Sequence, residues 1–220
     1  MPTLSTETPT SLLRRVRRLY HDAPFFVRTL QTLRPFICPF HELISLVPPD
    51  SRILDVGCGS GFFLAILADS SRVFEAVGFD CNTKSVEIAG AVLDKVHKSA
   101  KFNVFCIDAT QPWPVGPFDV VSIIDLMHHV PPDKQHSILE NAANVLKRGG
   151  ILIYKDMVSR PRWRAWANRL HDLIIAHQWI YYIPFETVKK WAYDEGFKCG
   201  GIKYCNMLWY GHEWGIFRKT

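Results

Sequence analysis

The stretch Arg52-Ile53-Leu54-Asp55-Val56-Gly57-Cys58-Gly59-Ser60-Gly61-Phe62-Phe63 decides how the chain folds. Ile53 to Val56 is a short apolar run carrying a single acid, Asp55, the pattern of a strand covered on both faces. Gly57, Gly59 and Gly61 then recur at every second position, and Phe62 to Ala68 continues as an apolar helix. Strand, glycine turn and helix bring backbone N–H groups and a helix N-terminus to a crevice at the strand's carboxyl end. Glycine suits such a crevice because a Cβ would block a ligand's approach and restrict the turn.

Downstream of this unit the chain alternates. Val73 to Phe79 reads as a second strand. Thr83 to Lys98 reads as a helix with Val86, Ile88, Ala89, Val92, Leu93 and Val96 inward. Phe102 to Ile107 and Phe118 to Ile124 are strands, Pro132 to Leu146 a helix capped by Lys147-Arg148-Gly149-Gly150, and Ile151 to Tyr154 begins a fifth strand. Strands alternating with helices predict a mostly parallel sheet with right-handed crossovers and its ligand site over the strand ends. Arg162 to Gln178 is predicted as a Trp-rich helix and Pro184 to Asp194 as another, ending at Gly196. Phe197 to Cys205 and His212 to Arg218 are predicted as two closing strands joined by an aromatic turn, Trp209 to Trp214.

Upstream, residues 1–10 are Thr/Ser/Pro-rich and read as a loose, disordered tail. Residues 11–47 read as a helical cap, with Pro24, Pro35 and Pro39 as stops or kinks. Its first piece puts Leu12, Leu13, Val16, Leu19 and Tyr20 on one side and Arg14, Arg15, Arg17 and Arg18 on the other. Such a helix can lie on a membrane surface or an acidic protein; a helix packed on its own domain with solvated arginines gives the same pattern. Residues 48–220 form the main domain, with 158–196 as a helical insertion beside the acceptor site.

The 220 residues, 48% hydrophobic, suffice for one domain with a sizeable core. A net charge of +5 points only weakly to acidic partners. Six cysteines without a Cys-x-x-Cys pair, and no leader of signal-peptide type, predict free thiols in the cytoplasm. No uninterrupted apolar run approaches the roughly 20 residues of a membrane span.

Two ligand families use glycine loops of this kind. The dinucleotide pattern Gly-x-Gly-x-x-Gly wants its third glycine at position 62, where Phe62 stands. The arrangement Asp-x-Gly-x-Gly-x-Gly instead resembles the first motif of class I S-adenosylmethionine-dependent methyltransferases. Phe118-Asp119-Val120-Val121-Ser122-Ile123-Ile124-Asp125-Leu126-Met127-His128-His129-Val130 is similar to the fourth motif of that family, as written in its quinone and sterol members. The resemblance implies an α/β fold: a Rossmann-like, doubly wound seven-stranded sheet in the order 3-2-1-4-5-7-6, here with an N-terminal helical cap. It implies S-adenosylmethionine as cofactor and S-adenosylhomocysteine as product. Asp55 would hold the methionine amino group, while Gly57, Cys58, Gly59 and Gly61 let the cofactor lie on the backbone.

Carried onward, the resemblance gives Asp80 the ribose hydroxyls, with Cys81 beside it, and gives Asp108 and Ala109 the adenine. Asp108 also suits a plain turn, and Asn82 or Thr83 a helix cap. Asp125 and Leu126 fall beside the methionine moiety and Met127 beside the methyl group. His128 or His129 is the candidate base, since imidazole titrates near neutrality; adjacent side chains cannot both face the pocket equally. Asp119, at the strand's start, reads as structural. Asp125 with Asp156 suggests a magnesium site of the catechol-methyltransferase kind, but Met157 stands where its Asn would be, so no metal is expected.

Tyr20, His21, Phe25, Phe26, Trp163, Trp166, His171, Trp179, Tyr181 and Tyr182 could line a pocket for a small aromatic or apolar acceptor, methylated on oxygen in preference to carbon. The same residues also suit helix packing. A nucleic-acid acceptor is not expected, because the Asn/Asp-Pro-Pro-Tyr/Phe motif is missing. A tethered substrate on an acidic carrier protein gripped by the first helix is an alternative. A nicotinamide-dependent oxidoreductase and a non-catalytic cofactor-binding protein are the readings of other classes.

Overall fold

The computed structural model describes residues 7–96, 101–158, 181–208 and 210–220. Three cap helices, α1 (Pro9–Leu19), α2 (Phe25–Ile37) and α3 (Phe40–Ser45), precede β1 (Ser51–Val56). Then come α4 (Phe62–Asp69), β2 (Val73–Asp80), α5 (Thr83–Leu93), β3 (Lys101–Cys106) and β4 (Phe118–Ile124). A 3₁₀ turn (Met127–His129), α6 (Gln135–Val145), β5 (Leu146–Met157), α7 (Phe185–Asp194), β6 (Phe197–Met207) and β7 (Tyr210–Lys219) complete the described elements.

The seven strands form one sheet in the order β3-β2-β1-β4-β5-β7-β6. β1 to β5 run parallel and β7 is antiparallel to both neighbours, so the expected doubly wound order holds. Alternation along each strand divides two cores. Ile53, Val120 and Ile153 pack with the α1, α3 and α4 side chains Val16, Phe40, Phe62 and Leu64. Leu54, Val121 and Leu152 pack with Ile138, Leu139 and Val188 of α6 and α7. β1 and β4 reverse direction of winding at their common carboxyl ends, which places the site there.

Some expectations move. The tail ends earlier than residue 10: Thr8 caps α1 by accepting from the Ser11 amide, Ser11 answers in kind, and Pro9 sits at a helix start where its missing N–H costs nothing. Pro24 and Pro39 stand at helix boundaries, but Pro35 lies inside the last turns of α2. The helix after β2 ends at Leu93, with Asp94 as its C-terminal cap and 94–96 in turn and bend, short of the expected end at Lys98, which itself lies outside the described residues. Lys147 to Gly150 are not a separate helix cap. They belong to β5, whose pairing with β4 shifts register near Phe118, and Gly149 takes the bend at φ +74°. Tyr210 to Trp214 are strand rather than turn, paired with β6 throughout and with β5 from His212 onward, which buries His212. The Trp-rich helix and Trp163, Trp166, His171, Trp179 and Trp209 lie outside the described residues. No described helix is long and apolar enough to cross a membrane.

Candidate functional site

A cavity of about 580 Å³ opens at the carboxyl ends of β1, β2 and β4, walled by the glycine loop, Asp55, Asp80, Asp125, Leu126 and His129, and roofed from the cap by Arg34 and Phe40. Gly57, Gly59 and Gly61 all have positive φ, +72°, +54° and +77°. At Gly57 a Cβ would stand 2.8 Å from Leu126 Cδ1; at Gly59 it would meet nothing within 4 Å. Gly57 therefore lets the loop close on β4, while Gly59, itself a wall residue, leaves the loop's bare surface toward the cavity. The amides are less available than the sequence suggested. Gly57 and Cys58 donate to the Phe79 carbonyl (2.9 and 3.0 Å) and Gly59 to Asp80 Oδ2 (2.9 Å), binding the loop to β2.

Asp80 is fixed from two sides, its Oδ1 accepting from the Asn82 amide at 2.9 Å. Each carboxylate oxygen keeps a lone pair for a ligand. Asn82 caps α5, accepting from the Ser85 amide. Asp55 is buried and accepts from the Ser122 hydroxyl at 2.6 Å, the residue opposite it on β4. Burial pushes its carboxyl up to about 7, against the opposing pull of the Ser122 bond and Arg34. Arg34 stacks over Phe40 (5.8 Å from the ring) and forms no ion pair among the described residues. Among the described residues of the wall it is the cation, set among Asp55, Asp80 and Asp125, and no sequence motif announced it: only the fold carries α2 to the strand ends.

Behind the cavity lies a buried polar cluster. Lys155, fully buried on β5, ion-pairs with Asp125, which has φ +54° and donates its amide to the Lys155 carbonyl at 2.9 Å. Burial alone would raise the Asp125 carboxyl, but the Lys155 ammonium holds it well below the usual carboxylate range. The Cys38 thiol, pushed up to about 12 by burial, lies 3.8 Å from the other Asp125 oxygen. Burial and Lys155 drive the His212 imidazole down to about 3, so it is neutral. His128 Nδ1 sits 2.5 Å from Asp156 Oδ1, both buried. Among the described residues no three His, Cys, Asp or Glu side chains converge as a metal cage. The Asp125 and Asp156 carboxylates instead face Lys155 and His128.

The structure thus brings together Asp55, Gly57, Cys58, Gly59, Asp80, Cys81, Asp125, Leu126 and His129 as walls. Gly61 sits beneath the loop as the N-terminal boundary of α4. Others fall elsewhere. Asp108 is exposed and closes its own turn by accepting from the Thr110 amide and hydroxyl, and Ala109 gives its carbonyl to Trp113; neither walls the cavity. Met127 packs wholly in the core, and His128 is turned away toward Asp156, its ring 4.1 Å from that of His129. Tyr20 is buried and donates to the Ser60 carbonyl at 2.7 Å, tying cap to glycine loop instead of meeting a ligand. His21 is exposed and paired with Asp22. Tyr181 donates its amide to the His128 carbonyl, outside the walls. Arg15 and Arg18 reach Asp69 of α4, which anchors the first helix to its own domain.

Residues 29–199 match the family described as a methyltransferase domain. The chain is 33% identical over 111 residues to the 27-O-demethylrifamycin SV methyltransferase of Amycolatopsis mediterranei, covering 50% of this chain and 40% of that protein. It is 30% identical over 141 residues to a ubiquinone biosynthesis O-methyltransferase of Neisseria meningitidis, covering 62% and 54%. The matched stretch thus spans about half the length of these curated relatives. Among solved structures, the magnesium protoporphyrin IX methyltransferase of Synechocystis with bound S-adenosylhomocysteine superposes with TM-score 0.68 at 18% identity, over 94% of this chain and 93% of that one.

Proposed function

The chain belongs to the class I S-adenosylmethionine-dependent methyltransferases, and from that premise we propose that it methylates a small apolar or aromatic acceptor, on oxygen in preference to carbon. The observation that carries this reading is the cavity itself: open above Gly59, acidic at Asp55 and Asp80, and crossed by the Arg34 cation. When bound, S-adenosylmethionine supplies an electrophilic methyl carbon on a positively charged sulfur. Asp80 has two oxygens with lone pairs to accept from a ribose diol. Asp55 suits an ammonium, and Arg34 a carboxylate, so the pair reads the two ends of an amino acid. Asp125 and Leu126 close the side toward the acceptor.

Among the described residues His129 is the histidine of the cavity wall and hence our candidate base, with His128 and Asp156 packed behind it as a support. A positioned base is worth about 10²–10⁴-fold for a hydroxyl nucleophile. Holding two reactants in line contributes about 7–11 kcal/mol in favourable cases, so positioning outweighs the base. The carrier-protein alternative keeps part of its grip: Arg15 and Arg18 turn to Asp69, while Arg14 and Arg17 stay exposed.

Two measurements test the reading. Asp80→Ala is expected to weaken S-adenosylmethionine binding by about tenfold to a hundredfold in calorimetry, the loss of hydrogen bonds to a charged acceptor; unchanged affinity removes the ribose assignment. Incubation of cell extract with the protein and methyl-labelled cofactor is expected to yield a labelled small molecule by mass spectrometry. His129→Gln should cut that label by at least about a hundredfold while sparing cofactor affinity.

A further inference from the structure

The first helix was the part of the chain with a membrane-surface pattern, yet its apolar side is turned inward: Leu12, Val16, Leu19 and Tyr20 are buried in the core and Leu13 is half-buried. Its neighbour α2 is built the other way round. Gln31 and Pro35 face inward and Arg34 faces the cavity, while Phe25 is 76% exposed, Phe26 66%, Leu33 51% and Phe36 38%. At the helical repeat, positions 25, 36, 33 and 26 fall within an arc of about 100°. Three phenylalanines and a leucine on one arc of a surface helix form an apolar patch that water does not favour and that scattered surface exposure does not produce.

Charge says what covers it. Residues 9–37 contain six arginines, Arg14, Arg15, Arg17, Arg18, Arg28 and Arg34, and one acid, Asp22. That is +5, so the remainder of the chain, with 20 basic and 20 acidic residues, is neutral: the entire excess sits on α2, which carries the stripe, and on α1 and the turn that lead into it. Arg28 lies over the Phe25 ring at 5.7 Å. Arg15 and Arg18 turn toward Asp69, and Arg14 and Arg17 remain exposed.

We propose that α2 docks the protein on an anionic phospholipid surface, Phe25, Phe26, Leu33 and Phe36 entering the headgroup boundary while Arg14, Arg17 and Arg28 meet the lipid phosphates. An apolar stripe bordered by arginine is the composition that lies in a membrane interface. A second copy fits the patch less well, because each copy would bring the same excess of positive charge to the contact. The proposal does not rest on methyl transfer, because docking requires neither cofactor nor acceptor.

The test is flotation of the full chain with phosphatidylcholine vesicles, with and without phosphatidylglycerol, in low and high salt. The wild-type protein is expected to float with the anionic vesicles and to be released by salt. The F25S/F26S/L33S variant should bind about tenfold or more weakly with an unchanged thermal melt, since the replaced side chains are exposed. Arg14→Glu with Arg17→Glu, a second and independent variant, should weaken binding to anionic vesicles alone. Absence of wild-type flotation with anionic vesicles overturns the proposal. So does flotation of the serine variant equal to wild type, or sedimentation showing that the stripe closes a homodimer which that variant dissolves.

Discussion

The two sides of the strand-end cavity are built on different principles. On the β1–β2 side the structure is local: a glycine loop whose amides bond to the adjacent strand, with Asp80 holding Gly59 across 21 positions of sequence. On the β4–β5 side it is side chain against side chain: Lys155 on Asp125, 30 residues apart, and Cys38 on Asp125, 87 apart. One side is held by backbone geometry and survives most changes that respect φ. The other is held by buried charge, where each partner depends on the next. Substitutions should therefore act very differently on the two sides.

The largest expected effect falls on the charged side. Lys155→Met keeps the volume but leaves the Asp125 carboxylate without its counter-ion. Breaking a buried pair costs about 3–5 kcal/mol, and Asp125, which keeps 27% of its side chain exposed, places this one near the low end. Urea unfolding measures it. Adding Asp125→Asn should restore most of the loss, since two neutral groups need no pairing. A loss below about 1 kcal/mol in Lys155→Met would show the pair to be as weak as a surface one and would break the contrast.

The same contrast explains what could be read in advance. The alternating elements, the glycine loop and an acid at the end of β2 were legible because they follow from period, spacing and glycine, which are local properties, whereas the order of the sheet and the role of Asp55 came only through the family resemblance. Arg34 and Lys155 were not legible, since each reaches the strand ends through long-range packing that no spacing records. His128 and His129 could be named as a pair, but only the 3₁₀ turn decides that His128 points to Asp156 and His129 to the cavity. Tyr20 failed as an acceptor contact for a related reason: an amphipathic pattern marks a buried side, and a buried tyrosine needs a partner for its hydroxyl more than it needs a ligand.

On the backbone-built side, Asp55 offers a subtler test. Its carboxyl sits at about 7, raised by burial, so near neutrality it is half protonated. A cation bound beside it favours the carboxylate and expels the proton. Affinity for S-adenosylmethionine is then expected to rise about tenfold per pH unit up to about 7 and to level off above. Calorimetry in buffers of different ionisation enthalpy should register the released proton. Asp55→Asn should bind more weakly at pH 8 and with no slope. A flat profile in the wild-type protein would mean that Asp55 serves the β1–β4 pairing through Ser122 and takes no part in binding.

The smallest effect concerns the joint between cap and loop, and it asks whether the local side is as self-sufficient as its hydrogen bonds suggest. Tyr20→Phe deletes one hydroxyl and leaves the Ser60 carbonyl, in a buried residue, without that donor. The expected loss is about 1 kcal/mol, rising toward 2 if no water reaches the carbonyl. If the loop is held by β2 alone, cofactor affinity should stay within about twofold, because the amides of Gly57, Cys58 and Gly59 keep their acceptors. A fall in affinity larger than the fall in stability would mean that the cap sets the loop's position. The glycine motif would then form the site only when α1 is docked against α4, and the boundary between cap and main domain would have no functional meaning.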